Sequence, residues 1–152
     1  MAFSEQSAID QIATYERAID GIRNSYGFAR NPDRLNNSDL PAVLHFSPGF
    51  TASVRGHFNL WDNVINVTSI LCVSPREAQG GKLRYLENEA VVYGGKWRSK
   101  FQDQDVVKAL LGQLGATGAF LTGGNYGAGG ALLNVGGIDY IGWIFNFQIE
   151  NA

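Results

Sequence analysis

A single cysteine, Cys72, among 152 residues leaves no internal disulfide to form, and its place inside an apolar run makes it a small buried side chain. No basic residue or helix start stands beside it to make the thiol reactive. The two histidines, His45 and His57, fall in predicted strands with no nearby cysteine or clustered carboxylate, a poor basis for a metal site. They read as satisfied or partly exposed sheet residues rather than as bases or ligands. Excess charge is also missing. Lysine and arginine number 12 against 14 acidic residues, are scattered, and leave a net charge of -2 and a pI near 5.6. That balance argues against an electrostatic grip on nucleic acid or anionic lipid and favours protein partners. No apolar run is long enough to cross a bilayer, and the N-terminus lacks a basic start followed by an apolar core. The expectation is a soluble protein made in the cytoplasm, with Asn36 and Asn66 as idle glycosylation triplets. At 16.5 kDa the chain fits one domain able to bury roughly 70% of its unfolded surface, without disulfides or a structural metal.

The usual signatures of chemistry are absent as well. The glycine stretch from Gly123 to Gly130 has no following Lys-Ser or Lys-Thr and no three-glycine dinucleotide spacing between a strand and a helix, so it is not read as a nucleotide site. Glu87 and Glu89 point to different sides of a helix and form no acid–base pair. Asp103 and Asp105 suit helix capping. Lys82, Arg84, Lys96, Arg98 and Lys100 interleave with Tyr85, Tyr93 and Trp97, a mixture found at both nucleic-acid and protein interfaces; Glu87 and Glu89 dilute the field, and protein contact is preferred. No catalytic residue, cofactor or metal is assigned, and the chain is not read as an enzyme.

What is present is a clear order of elements. Ser4, with Ser7 as rival, caps a first helix whose Ile9, Ile12, Tyr15, Ile19 and Ile22 form an apolar stripe, with Asp10, Glu16, Arg17, Asp20 and Arg23 on the wet face. Gly27 ends or follows it, and residues 31–39 are a loop by their turn residues, read as a connector in preference to a docking arm. Strands are predicted from Ala42 to Phe46, from Thr51 to Phe58 and from Asn63 to Val73, with turns at Ser47 to Gly49 and near Asn59 to Asp62. On the third of these, Ile65, Val67, Ser69, Leu71 and Val73 share a face, while Ile70 and Cys72 point the other way and suggest cover on both sides.

Residues 75–81 break the strand pattern. Leu83, Leu86, Ala90, Tyr93, Trp97 and Phe101 then recur at helical spacing, interrupted by Gly94 and Gly95, which cost about 2 kcal/mol against alanine. Two helical pieces are expected there, or one bent helix with a close backbone contact. A further helix begins at Asp103 or Asp105, buries Val106, Val107, Leu110, Leu111 and Leu114, and stops at Gly115. Phe120 to Thr122 opens a strand. The glycine stretch is read as a long hairpin tip or a loop that orders on binding, so removing Gly124 to Gly129 is expected to spare the fold. Ala131 to Val135 and Ile138 to Glu150 close the chain as a hairpin about Gly136 and Gly137, with Ile141, Trp143, Phe145, Phe147 and Ile149 on one buried face.

This order resembles the tail terminator proteins of long-tailed bacteriophages. The likeness rests on the amphipathic first helix, the loop ending in Asp39-Leu-Pro-Ala-Val43 and a strand meander containing Trp61. It continues through a helical region ending in Leu110-Leu-Gly-Gln-Leu114 and a closing hairpin with Tyr140-Ile-Gly142 and Phe147-Gln-Ile-Glu150. The resemblance covers nearly the whole chain through short, degenerate motifs. It implies an α+β domain, a mostly antiparallel sheet with helices packed against it, forming a homo-hexameric ring on a completed tail tube. Such a ring stops further addition of tube subunits and offers a surface to the neck of the capsid, so its partners would be other copies of itself, the tail tube protein and a neck or head completion protein, within the virion. Arg30, Arg34, Arg55, Trp61, Gly124, Asn125, Tyr126 and Gly127 are the interface candidates on this reading. A head completion or neck adaptor protein is the nearest rival; a tail tube subunit would need a longer chain with two packed sheets. A small ligand-binding or enzymatic α+β domain would instead need a concave pocket under Trp61, Trp97 and Trp143.

Overall fold

The computed structural model describes residues 3–54, 61–75, 83–126 and 133–151. Ser4 opens the first helix, α1 (Glu5–Arg17), and its side-chain oxygen accepts from the Ser7 amide at 3.2 Å, one of the donors that a helix start leaves without a carbonyl. Ile9 and Ile12 reach the core as their spacing requires, but the helix stops at Arg17, well before Gly27. Ile19 and Ile22 are buried all the same, carried inward by turns. A two-residue strand, β1 (Asn24–Ser25), lies parallel to the start of β2 (Ala42–Val54). β2 pairs antiparallel with β3 (Trp61–Pro75), and β3 with β6 (Ile138–Asn151). β6 also carries β4 (Gly118–Tyr126) and the short β5 (Leu133–Val135), giving the order β1-β2-β3-β6-β4 with β5 beside β6. With α2 (Leu83–Gln102) and α3 (Gln104–Leu114), the protein is α+β: a mostly antiparallel open sheet and three α-helices among the described residues.

The parity of β3 separates two cores. Ile65, Val67, Leu71 and Val73 meet Ile9, Ile12, Ala90, Trp97, Phe101, Leu110 and Leu114 on the helix side. Cys72, with Ile70 packed beside it, joins Ala42, Leu44, Leu133 and Tyr140 on the other side, where the connection before β2 contributes Leu35 and Leu40. The cover on both faces expected from Ile70 and Cys72 is therefore present, and the loop over residues 31–39 packs against the sheet as a connector. The Tyr140 hydroxyl fixes it by donating to the Leu35 carbonyl at 3.4 Å.

Two punctuation marks in the sequence behave differently in the fold. Ser47 to Gly49 is no turn: β2 runs through it, with a register shift between Phe46 and Gly49. A β-bulge takes up the extra residue, and it also accommodates Pro48, which has no amide to give a ladder. The meander expected from three short strands is thus one long β2–β3 hairpin. Its predicted turn near Asn59 to Asp62 lies partly outside the described residues, while Trp61 and Asp62 belong to β3. Gly94 and Gly95 do not break the second helix either, since α2 runs unbroken from Leu83 to Gln102.

The alternative offered for the glycine pair, a close backbone contact, is what the fold contains. A Cβ on Gly94 would sit 2.5 Å from the Trp143 ring, whose Nε1 donates to the Ala90 carbonyl one turn earlier at 2.9 Å. Next to it Trp97 stacks on Phe145, ring centroids 3.7 Å apart and planes within 4°. Glycine lets the helix settle onto the aromatic face of β6. α3 begins on Asp103, which accepts from the Asp105 amide, and ends on Gly115 at φ 63°. The closing turn carries Gly136 and Gly137 at φ 59° and 82°, the positive pair that a two-residue hairpin needs.

Candidate functional site

Among the described residues, a buried cluster of titratable groups lies inside the fold. Glu16, assigned to the wet face of α1 by its charge, is fully buried and sits against His45 of β2, also buried. Glu16 Oε1 meets His45 Nε2 and accepts from the Ser25 hydroxyl at 3.1 Å, and Glu16 Oε2 accepts from Trp97 Nε1 at 2.6 Å. The His45 Nδ1 faces the Tyr26 carbonyl, which can only accept, so both ring nitrogens face acceptors and the imidazole is a double donor. Its own backbone is closed by Asn31, whose side-chain amide donates to the His45 carbonyl at 2.7 Å and accepts from the His45 amide at 3.1 Å. Four elements are tied at one point: α1, β1, β2 and α2.

Burial alone would push the His45 pKa down. The Glu16 charge and hydrogen bond, with the Tyr26 carbonyl, together outweigh that penalty and hold it above the usual 6.5, against a smaller opposing pull from Arg17. The sign of the stability effect follows. As pH rises past 6.5 the unfolded chain loses this proton before the folded protein does. The contribution is therefore complete below that value and is lost as pH climbs through the raised folded value. Urea midpoints are expected to fall from about pH 6 to about pH 8, below the range where the unfolded Cys72 thiol ionises, so that histidine is the side chain titrating in the window. His45→Gln should flatten the trend; an unchanged slope in that variant would remove His45 as its source. Because neither partner presents side-chain area to water, the pair is placed to hold the fold rather than to meet a substrate.

The surface tells a different story. Past the bulge, the helix-side positions of β2 are Phe50, Ala52 and Val54, opposite Ile65, Asn63 and Trp61 of β3. Phe50 is 67% exposed, Val54 55% and Trp61 54%. They stand on an arm of the β2–β3 hairpin that reaches beyond the helices, with Phe3 and Glu5 at its base beside Phe50. At the far edge of the sheet a groove of about 260 Å³ runs between α2 and β4, with Val91, Gly94, Leu121, Gly124, Trp143 and Phe145 along it and Arg98 at its side. A Cβ built on Gly95 or Gly123 meets nothing within 4 Å, so the groove floor is open.

The sequence candidates divide between these places. Trp61 is on the arm. Arg30 and Arg34 are exposed in the connection before β2; Asp33, next to Arg34, places its carbonyl against Gly136, at the end of the sheet away from Trp61. Gly124, Asn125 and Tyr126 are not in a free loop but in β4, opposite Phe145, Ile144 and Trp143. The Gly124 to Gly129 deletion expected to spare the fold would therefore remove paired strand. Arg55, Gly127 and His57 lie outside the described residues. The three tryptophans do not line one pocket: Trp61 is on the arm, Trp97 is in the core and Trp143 is in the groove. Trp97 is also withdrawn from the aromatic–basic surface of α2, where Lys96 lies 5.2 Å over the Tyr93 ring instead.

Among the described residues no three histidine, cysteine or acidic side chains are grouped to hold a metal, and no helix is long and apolar enough to cross a membrane. The sequence signal for the arm was available in the continuing alternation of Phe50, Ala52 and Val54. The groove was not legible, because it is made by glycines from two distant segments. No model of a known protein family matches this chain, and no curated protein matches it.

Proposed function

We propose that this chain is a structural protein of a phage virion, closing the end of a completed tail tube as a homo-hexameric ring and presenting a surface to the neck. The observation that carries the reading is the contrast between interior and exterior. The cluster able to do acid–base chemistry is sealed, while apolar side chains stand uncovered on the arm and along α2, where Val91 and Val92 are exposed. Apolar patches of this kind mark protein contact, and two on different flanks of one chain suit a head-to-tail ring. Such a ring would pair one face with the last tube layer and deny the next subunit a template.

The test is absolute mass by light scattering over a concentration series, with negative-stain images of the same fractions. A closed particle of six 16.5 kDa chains with a central opening is expected. A single-chain mass at every concentration would overturn the ring.

A further inference from the structure

The outer strands of the sheet run in opposite directions. β2 is antiparallel to β3, β3 to β6 and β6 to β4, so β2 runs with β6 and β4 runs against both. Each also has an edge without a strand among the described residues. β1 covers β2 only at Ala42 and Val43, and the Asn31 amide closes the edge at His45, which leaves residues 46–54 uncovered. β4 has β6 on one side and no strand on the other over residues 118–125. An uncovered edge offers a row of backbone donors and acceptors to another strand. The two stretches are similar in length, on the order of 30 Å at about 3.3 Å per residue.

Side chains match as well as directions. On β4 the helix-side positions include Ala119, Leu121 and Gly124, opposite Ile149, Phe147 and Phe145, and of these Leu121, Gly124 and Phe145 line the groove beside α2. On the β2 arm the helix-side positions are the uncovered Phe50, Ala52 and Val54. A strand added to β4 with its helix side up brings its side chains alongside the groove between α2 and β4. The groove is open at Gly95 and Gly123, where a Cβ would meet nothing within 4 Å, and the arm carries exposed apolar side chains. Glu5 at the arm base and Arg98 beside the groove are of opposite charge.

From this we infer that copies of the chain join head to tail by β-strand addition, residues 46–54 of one copy pairing antiparallel with residues 118–125 of the next and setting Phe50 and Val54 on the side of the neighbour's α2–β4 groove. The inference rests on the ring reading and names its contact. Because strand direction alternates across the sheet, a rotation about an axis near the strand direction repeats the same junction without a parallel pair. The strands of adjacent copies then form one antiparallel sheet around the ring, tilted and staggered as closure requires. No free edge is left to template further lateral growth.

Engineered cysteines test the junction in the intact chain. Thr51 and Ser53 on β2 are exposed and face the sheet side away from the helices, as does Gly118 on β4, at the end of that strand which antiparallel pairing brings level with Ser53. Native Cys72 is buried, its thiol pushed up to about 12 by desolvation, and does not compete. T51C and S53C chains are each mixed with G118C chains and treated with a short thiol-to-thiol linker that tolerates a diagonal offset of about 7–8 Å. Linked pairs are expected only in the mixtures, and a T51C/G118C double variant should give a ladder ending at the ring. Phe50→Asp should weaken assembly at least tenfold while retaining the far-ultraviolet spectrum. Linkage of T51C chains to one another would show two β2 edges meeting and overturn the proposal. An oligomer that gives no mixed linkage would overturn this contact while sparing the ring. A single-chain mass at every concentration would overturn both.

Discussion

Glu16→Ala is expected to destabilise the protein by about 3–5 kcal/mol, the cost of stripping a buried charge of its partner. That is a large share of the roughly 5–15 kcal/mol that holds a domain of this kind together. The loss is not only of one contact. The Trp97 indole and the Ser25 hydroxyl lose their acceptor, and His45 keeps its carbonyl partner at Nδ1 but has nothing to neutralise a second proton. The remaining folded protein relieves itself by leaving His45 neutral, since without Glu16 burial, the largest influence on its pKa, outweighs the Tyr26 carbonyl and pushes it down. The pH trend then reverses. With the folded value below the ordinary one, the unfolded chain binds the extra proton, so E16A gains stability as pH rises where the native chain loses it. Glu16→Gln keeps an acceptor for Trp97 and should fall between the two. Urea unfolding at matched protein concentration, across pH, reads both effects. A loss of under about 1 kcal/mol, or a slope of the native sign in E16A, would show that Glu16 does not serve as the counter-charge.

How far the sequence foretold this centre depends on which property of each residue is read. Glu16 was placed in water by its charge, yet its position extends the Ile9 and Ile12 spacing and leads to Ile19, all of which are buried. The spacing was right and the chemistry of the side chain misled. A partner 29 residues away, His45, reverses the cost of burying a carboxylate, and no local pattern contains it. The same cause hides the other departures. Ser47 to Gly49 has the composition of a turn, but pairing with β3 on both sides keeps it in the strand as a bulge. Gly123 and Gly124 weaken a strand by their own propensity, yet β6 supplies Asn146 and Phe145 as register partners and holds them. Trp97 stands between lysine and arginine and is nonetheless drawn into the core by Phe145 and Glu16. Where burial follows from period alone the reading succeeded: β6 buries Ile141, Phe145, Phe147 and Ile149, α3 buries Leu110 and Leu114, and Gly136 and Gly137 make the last turn.

Gly142→Ala is expected to be the most damaging single-methyl addition in the closing hairpin. Gly142 lies in the middle of β6, opposite Cys72 of β3, beside the register shift between Cys72 and Ser74. A Cβ built there falls 1.8 Å from the Leu71 carbonyl oxygen and 2.9 Å from its carbon. These are backbone atoms of a central strand, so no rotamer change relieves the clash. The strands must separate, and Leu71 belongs to the helix-side core while Cys72 belongs to the other, so separation loosens both. Overpacking a core typically costs about 1–3 kcal/mol, and a clash with backbone belongs at or above the upper end of that range. The positions around it bound the prediction. At Gly95, where a Cβ meets nothing within 4 Å, alanine should instead gain up to about 1 kcal/mol from helix propensity. The pair G142A and G95A, each compared with the native chain by urea unfolding, separates close approach from the general effect of replacing glycine. A G142A chain as stable as the native one would mean that β3 and β6 do not approach through this glycine.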